Sequence, residues 1–236
     1  MDSSEQIAYE YLIHTGANSL EFEPDGNVPP DFTIEKRIAI EVRRLNQNYE
    51  LPNGSSQGLE ETSIPIVQKF QKLIRSMGKS INGECWYVAI DFQRPISWKT
   101  LECKIKSELH RFKESSTRTN CEIVISKNFR IDLFKAGIDH GFFFCSGGHS
   151  DNDSGGWVMS EIERNLRICI VDKEHKIAPY RHKYQQWWLL LIDYIGFGLD
   201  SEDRLQFKLD VLPRINHSFD RIIFVNPLDH TYAFEV

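Results

Sequence analysis

Between Asp31 and Arg43 the chain alternates. Phe32, Ile34, Ile38, Ile40 and Val42 share one parity, and Asp31, Thr33, Arg37, Ala39, Glu41 and Arg43 share the other. A period of two marks β-strands, so the stretch predicts a hairpin turning at Glu35-Lys36-Arg37. The register that sets Ile34 against Ile38 and Phe32 against Ile40 places apolar opposite apolar, and Asp31 opposite Glu41. A slip of one residue destroys that match. Upstream, Ile7, Ala8, Tyr11 and Leu12 recur at helical spacing. They predict a helix from a cap at Ser3 or Ser4 to about His14, closed by Gly16 and Asn18. A short strand over residues 20–23 and a turn over 24–27 then lead into the hairpin.

Downstream, residues 46–61 are polar and carry Pro52, Gly54 and Gly58, the pattern of a long loop. Ser63 is placed to cap a helix to about Met77, with Pro65 in its first turn. Its apolar arc is Ile66, Val67, Phe70, Leu73, Ile74 and Met77, and Lys69, Lys72, Arg75 and Lys79 lie opposite. The apolar run over 85–92 reads as a strand buried on both faces. It is expected to run parallel to the second hairpin strand, with the preceding helix as crossover. Residues 97–118 read as a solvent-facing helix, and 121–126 and 141–145 as short strands around Ile131-Asp132-Leu133-Phe134. Residues 147–156 read as a flexible loop. Ser160 and Glu163 make a capping box for a helix to about Ile177, with Lys173 and Lys176 one turn apart and Tyr180, Lys183 and Tyr184 beyond. Phosphate holding and base stacking explain those lysines and tyrosines, and so does amphipathic packing. Residues 187–193 and 221–226 read as buried strands bridged by a helix over 201–212, with an edge strand over 232–236. No linker rich in Pro, Gly or Ser separates the halves, so the later strands are compatible with an extension of the same sheet.

Composition narrows the class. A chain of 236 residues that is 41% hydrophobic can bury a sizeable core. The net charge of −6 argues against a generic nucleic-acid coat, but it conceals a basic stretch from Lys69 to Lys79 that holds no acidic residue. The five cysteines are scattered without a CxxC pair, which suits reduced thiols in a cytosol. The start of the chain lacks a charged-then-apolar leader, and the apolar run over 187–192 is too short to span a bilayer. The sequence therefore predicts a soluble cytoplasmic protein with no membrane partner.

The chemistry concentrates at the hairpin. Carboxylates directly across a ladder stand about 5 Å apart at Cβ and repel each other, so Asp31 and Glu41 call for a cation between them. A metal ion satisfies that requirement, and so does a surface hairpin in which Arg37 and Arg43 pair with the two acids. The helix face carrying Lys69, Lys72 and Arg75 reads either as a guide for a phosphate backbone or as an ordinary solvated stripe.

The order helix, strand, strand, strand, helix, strand over residues 5–92, with Pro30-Asp31 and Glu41-Val42-Arg43 on the hairpin, resembles the core of the PD-(D/E)XK nuclease superfamily. The resemblance implies an α/β fold, a mixed sheet flanked by helices. Its restriction-endonuclease-like αβββαβ core would span residues 1–95, and an α/β elaboration residues 96–236. It implies Mg²⁺, or Mn²⁺ in its place, held by Asp31, Glu41 and the backbone carbonyl of Val42. An acid from the first helix often joins them, with Glu5 preferred over Glu10. It implies metal-dependent hydrolysis of phosphodiester bonds in DNA ahead of RNA. Arg43 stands where the family carries Lys. An Arg stays protonated, so it would clamp the scissile phosphate and stabilise developing charge. Water activation would then fall to the metal, or to Lys69 as a displaced lysine. The alternative is a catalytically inactive nuclease-fold module that binds nucleic acid or a protein partner. Both a homodimer and a partner subunit stay open.

Overall fold

Helix α1 (Ser3–His14) opens the chain and is capped by Asp2 rather than by the serines that follow it. The Asp2 side chain accepts the N–H groups of Ser4 and Glu5, and the Glu5 carboxylate accepts the N–H of Asp2 in return. This reciprocal arrangement satisfies donors that a helix start otherwise leaves unpaired. Strands β1 (Leu20–Phe22), β2 (Phe32–Ile34) and β3 (Ile38–Leu45) follow. β2 and β3 pair antiparallel with Phe32 opposite Ile40 and Ile34 opposite Ile38, the register read from the alternation. Glu35 and Lys36 turn the chain with φ of 51° and 53°, the left-handed conformation that tight hairpins need.

The remaining elements, in the computed structural model that describes residues 1–236, are β4 (Asn48–Glu50), β5 (Ser56–Gly58), α2 (Leu59–Ser76), β6 (Trp86–Phe92), α3 (Trp98–Glu114), β7 (Cys121–Ser126), β8 (Phe129–Lys135), β9 (Phe144–Asp151), α4 (Val158–Ile177), β10 (Gln186–Asp193), α5 (Ser201–Gln206), β11 (Arg221–Asn226) and β12 (Asp229–Glu235). The fold is mixed α/β. Its chain divides into two units, residues 1–56 with 156–236, and residues 57–155. That division differs from the expected boundary at residue 95, because the middle of the chain is set apart while its two ends fold together. No helix is long and apolar enough to cross a membrane.

The first unit is built on a six-stranded sheet of order β1-β2-β3-β10-β11-β12. β10 lies parallel to both β3 and β11, and β12 closes the edge antiparallel. This corrects the expected neighbour of β3. The parallel strand beside β3 is β10, reached through α4, and not the strand over 85–92. The reason is visible in the burial of each strand. From Leu189 to Asp193 every residue of β10 is buried, as a central parallel strand requires. β6 instead buries Trp86, Val88, Ile90 and Phe92 and leaves Tyr87, Ala89 and Asp91 half-buried, so it has one core face only.

The faces of β3 decide where the chemistry lies. Ile40 and Val42 pack with Ala8 and Leu12 of α1. Ala39 and Leu45 pack with Leu166, Cys169 and Ile170 of α4 on the other face. Glu41 and Arg43 share the parity of Ala39 and therefore face α4.

The second unit holds a sheet of order β7-β8-β6-β9, whose core face packs with α2 and α3. Arg94 clasps it: its guanidinium meets Asp151 at 2.7 Å, Asp153 at 3.0 Å and the Leu59 carbonyl at 2.6 Å. With the Arg94 side chain 3% exposed, Arg94→Leu leaves the half-buried Asp151 and Asp153 without their cation. The expected loss is about 3 kcal/mol of unfolding free energy in urea titration. A loss under about 1 kcal/mol would show the clasp to be dispensable.

Candidate active site

Asp31 stands immediately before β2, and its Oδ2 accepts the backbone N–H of Val42 at 2.7 Å. A carboxylate bound to the main chain of the opposing strand is held in position without a rotamer search. Across the hairpin, Glu41 is almost fully buried beneath α4. Between the two acids sits a cation that comes from neither strand. The Lys173 Nζ lies 2.6 Å from Glu41 Oε2 and 3.3 Å from Asp31 Oδ2. Neither arginine of the hairpin fills that place. Arg37 donates to the Gln185 side chain, and Arg43 pairs with Asp172.

The sequence of α4 explains why a lysine is there. Leu166, Cys169, Ile170 and Ile177 form its buried stripe, and Lys173 falls on the same stripe at helical spacing. A lysine aimed into a core is costly unless its charge is met. Two carboxylates and one ammonium leave a local charge of −1. Burial pushes the Glu41 carboxyl above its usual range, the Lys173 ammonium pulls against that, and Asp31 adds to the rise. Glu41 Oε1 is buried without a hydrogen-bond partner. A buried acceptor left open beside a second carboxylate is a feature that calls for a ligand.

The donor set fits a hard divalent cation. Mg²⁺ is commonly held by one or two carboxylates and completes its shell with water and phosphate oxygens. No group of three or more His, Cys, Asp or Glu side chains is arranged to hold a metal. A cation at Asp31 and Glu41 therefore needs oxygens from backbone, solvent or substrate. Room exists for them in a cavity of about 240 Å³ lined by Asn27, Pro30, Asp31, Glu41, Lys173 and Lys176.

Of the residues singled out from the sequence, Asp31 and Glu41 are brought together, with Val42 tying them through its N–H. Arg43 points to the same face two residues further along β3. It lines a neighbouring cavity of about 570 Å³ with Asp172, Arg167 and His175. Glu5 stays at the start of α1 in its capping box, on the helix that covers the opposite face of the sheet. It does not line the Asp31–Glu41 cavity. Lys69, Lys72 and Arg75 are exposed on α2, which belongs to the other unit. Lys173 carries the largest charge effect at the centre. The signal for it in the sequence is a single basic residue interrupting an apolar helical stripe.

Comparison of the chain with protein-family models, with curated proteins and with solved structures finds no match in any of the three.

Proposed function

We propose that the first unit is a metal-dependent nuclease that hydrolyses phosphodiester bonds, in DNA ahead of RNA, with Asp31, Glu41 and Lys173 as its reacting centre. The observation that carries this reading is the ammonium of Lys173 between the two hairpin carboxylates. It supplies the lysine that position 43 lacks in the resemblance to the PD-(D/E)XK superfamily. The element order supports the same reading. Helix α1, three antiparallel strands, helix α4 and parallel strand β10 follow in the αβββαβ order, with residues 57–155 inserted before α4.

A divalent cation, Mg²⁺ or Mn²⁺, held by Asp31, Glu41 and the Val42 carbonyl would supply Lewis-acid polarisation and charge neutralisation at the phosphate. The protein's own groups do the rest. Asp31 is locked by the Val42 N–H, so the two carboxylates keep their spacing through the reaction. An ammonium has three N–H donors. Two of those on Lys173 are directed at Glu41 and Asp31, and the third is free for the attacking water or a phosphoryl oxygen. Arg43 has five donors and stays charged. Those not spent on Asp172 can take a non-bridging oxygen in fork geometry. In the hydrolysis, the water oxygen bonds to phosphorus, the water gives up a proton, and the ester oxygen leaves and is protonated.

The test is incubation of the protein with supercoiled plasmid, linear duplex, single-stranded DNA and RNA, in Mg²⁺, Mn²⁺ or EDTA. Cutting in metal, suppressed in EDTA and faster on DNA than on RNA, is the expected result. Folded protein that cuts none of the four in either metal overturns the reading in favour of a nuclease-like module that binds without cutting.

A further inference from the structure

We propose that Arg43, Lys176 and Asp172 form a phosphate-exchange site beside the reacting centre, where Asp172 occupies the position that a nucleic-acid phosphate takes when substrate binds. The naming of the ligand class rests on the nuclease reading above. The geometry does not depend on it.

Two cations from different elements converge on one oxygen. Arg43 Nη1, from β3, and Lys176 Nζ, from α4 at 3.4 Å, both contact Asp172 Oδ2. The trio is open to water, with Asp172 40% and Lys176 54% exposed. The position is also significant. Lys176 lines the cavity that holds Asp31 and Glu41, while Arg43 and Asp172 line the larger cavity next to it. Asp172 lines the larger cavity and is paired with Lys176, which lines the smaller one.

Electrostatics gives the carboxylate a purpose in the free protein. Arg43, Lys173 and Lys176 are three positive charges around one turn of α4, and like charges this close disfavour one another. Burial and the neighbouring Lys173 and Arg43 all pull the Lys176 ammonium below its usual range. Asp172 offsets that repulsion until a phosphodiester arrives. A phosphodiester carries the same single negative charge and accepts from a guanidinium in the same fork geometry. It can therefore replace Asp172 at both cations without a change in net charge at the site. The consequence is a threshold. Weak anions fail to displace Asp172, and a polyanion held at the same time in the neighbouring cavity succeeds.

The experiment is fluorescence anisotropy of a short labelled single-stranded oligodeoxynucleotide, titrated in EDTA across a range of salt. Asp172→Asn is expected to tighten binding about fivefold or more. The same loss of one negative charge at exposed Glu202, in Glu202→Gln, sets the baseline for a purely long-range effect. Arg43→Gln and Lys176→Gln are each expected to weaken binding several-fold and to lower the salt slope by about 0.7, the change for one lost phosphate contact on a single strand. Asp172→Ser provides the same readout if the Asn variant melts early. The proposal is overturned if Asp172→Asn binds no tighter than Glu202→Gln, if either cation variant leaves affinity and slope unchanged, or if the wild type does not bind. Binding that shifts as expected in a protein that never cuts would leave this site standing and remove the nuclease reading. Cutting by a protein whose variants bind like the wild type would remove this site alone.

Discussion

Lys173→Met lowers the stability of the protein by about 3–5 kcal/mol at neutral pH, the cost of leaving a buried charge without its partner, and the loss shrinks as the solution is made acidic. The wild-type side chains of Lys173 and Glu41 are 10% and 2% exposed, so little solvent screens what remains when the ammonium is removed. Burial already raises the Glu41 carboxyl against the pull of Lys173. In the variant that pull is gone, and both burial and Asp31 act upward. The unfolded chain's glutamate titrates near about 4.3. Below that value both states hold the proton and the variant loses little. As pH rises from there through the higher folded value, the folded state resists ionisation and stability falls. Urea unfolding at several pH values reads this directly. Glu41→Gln/Lys173→Met should be less destabilised than Lys173→Met alone, because the double change removes both charges of a coupled pair. A loss that is the same at acid and neutral pH would show that Lys173 acts through packing and not through its charge.

The proposed nuclease reading predicts unequal effects on cleavage for changes at Lys173 and Arg43. Lys173 Nζ is within hydrogen-bond distance of both hairpin carboxylates. Its loss is expected to reduce single-turnover cleavage by about a thousandfold, the scale of a removed transition-state donor. Arg43 pairs with Asp172 and lines the neighbouring cavity rather than the one that holds Asp31 and Glu41. Arg43→Gln is expected to reduce cleavage by about ten- to a hundredfold, with most of the loss in substrate affinity. Combining Lys173→Met with Glu41→Gln should cost hardly more than either change alone, since groups that act as a unit are not additive. Equal losses at positions 43 and 173 would contradict the assignment of the centre to Lys173.

Much of this architecture was legible in the chain. The alternation around the hairpin allowed one register only, and with it the approach of Asp31 to Glu41, because a slip would have turned Phe32 and Ile40 out of the core. The neighbour of β3 was not legible in the same way. Strand pairing after a crossover is decided by which apolar surface is free, and residues 57–155 separate β4 from α4 along the chain. A local signal did exist: the half-buried positions Tyr87, Ala89 and Asp91 alternate with large apolar residues, while Leu189 to Ile192 is apolar throughout. Glu5 stood in a D-x-x-E pattern from Asp2, a capping box that accounts for the acid without any metal. Lys173 was visible as a basic residue on an apolar stripe, but its partners lie far away in sequence and only the sheet topology brings them under it.

The measurement that bears most directly on the central claim is single-turnover cleavage of duplex DNA in Mg²⁺ by wild type, Asp31→Ala and Glu41→Ala, each first shown to be folded. The account predicts metal-dependent cutting by the wild type and its loss in both variants. Cutting that survives both substitutions would place the chemistry elsewhere in the chain and contradict it.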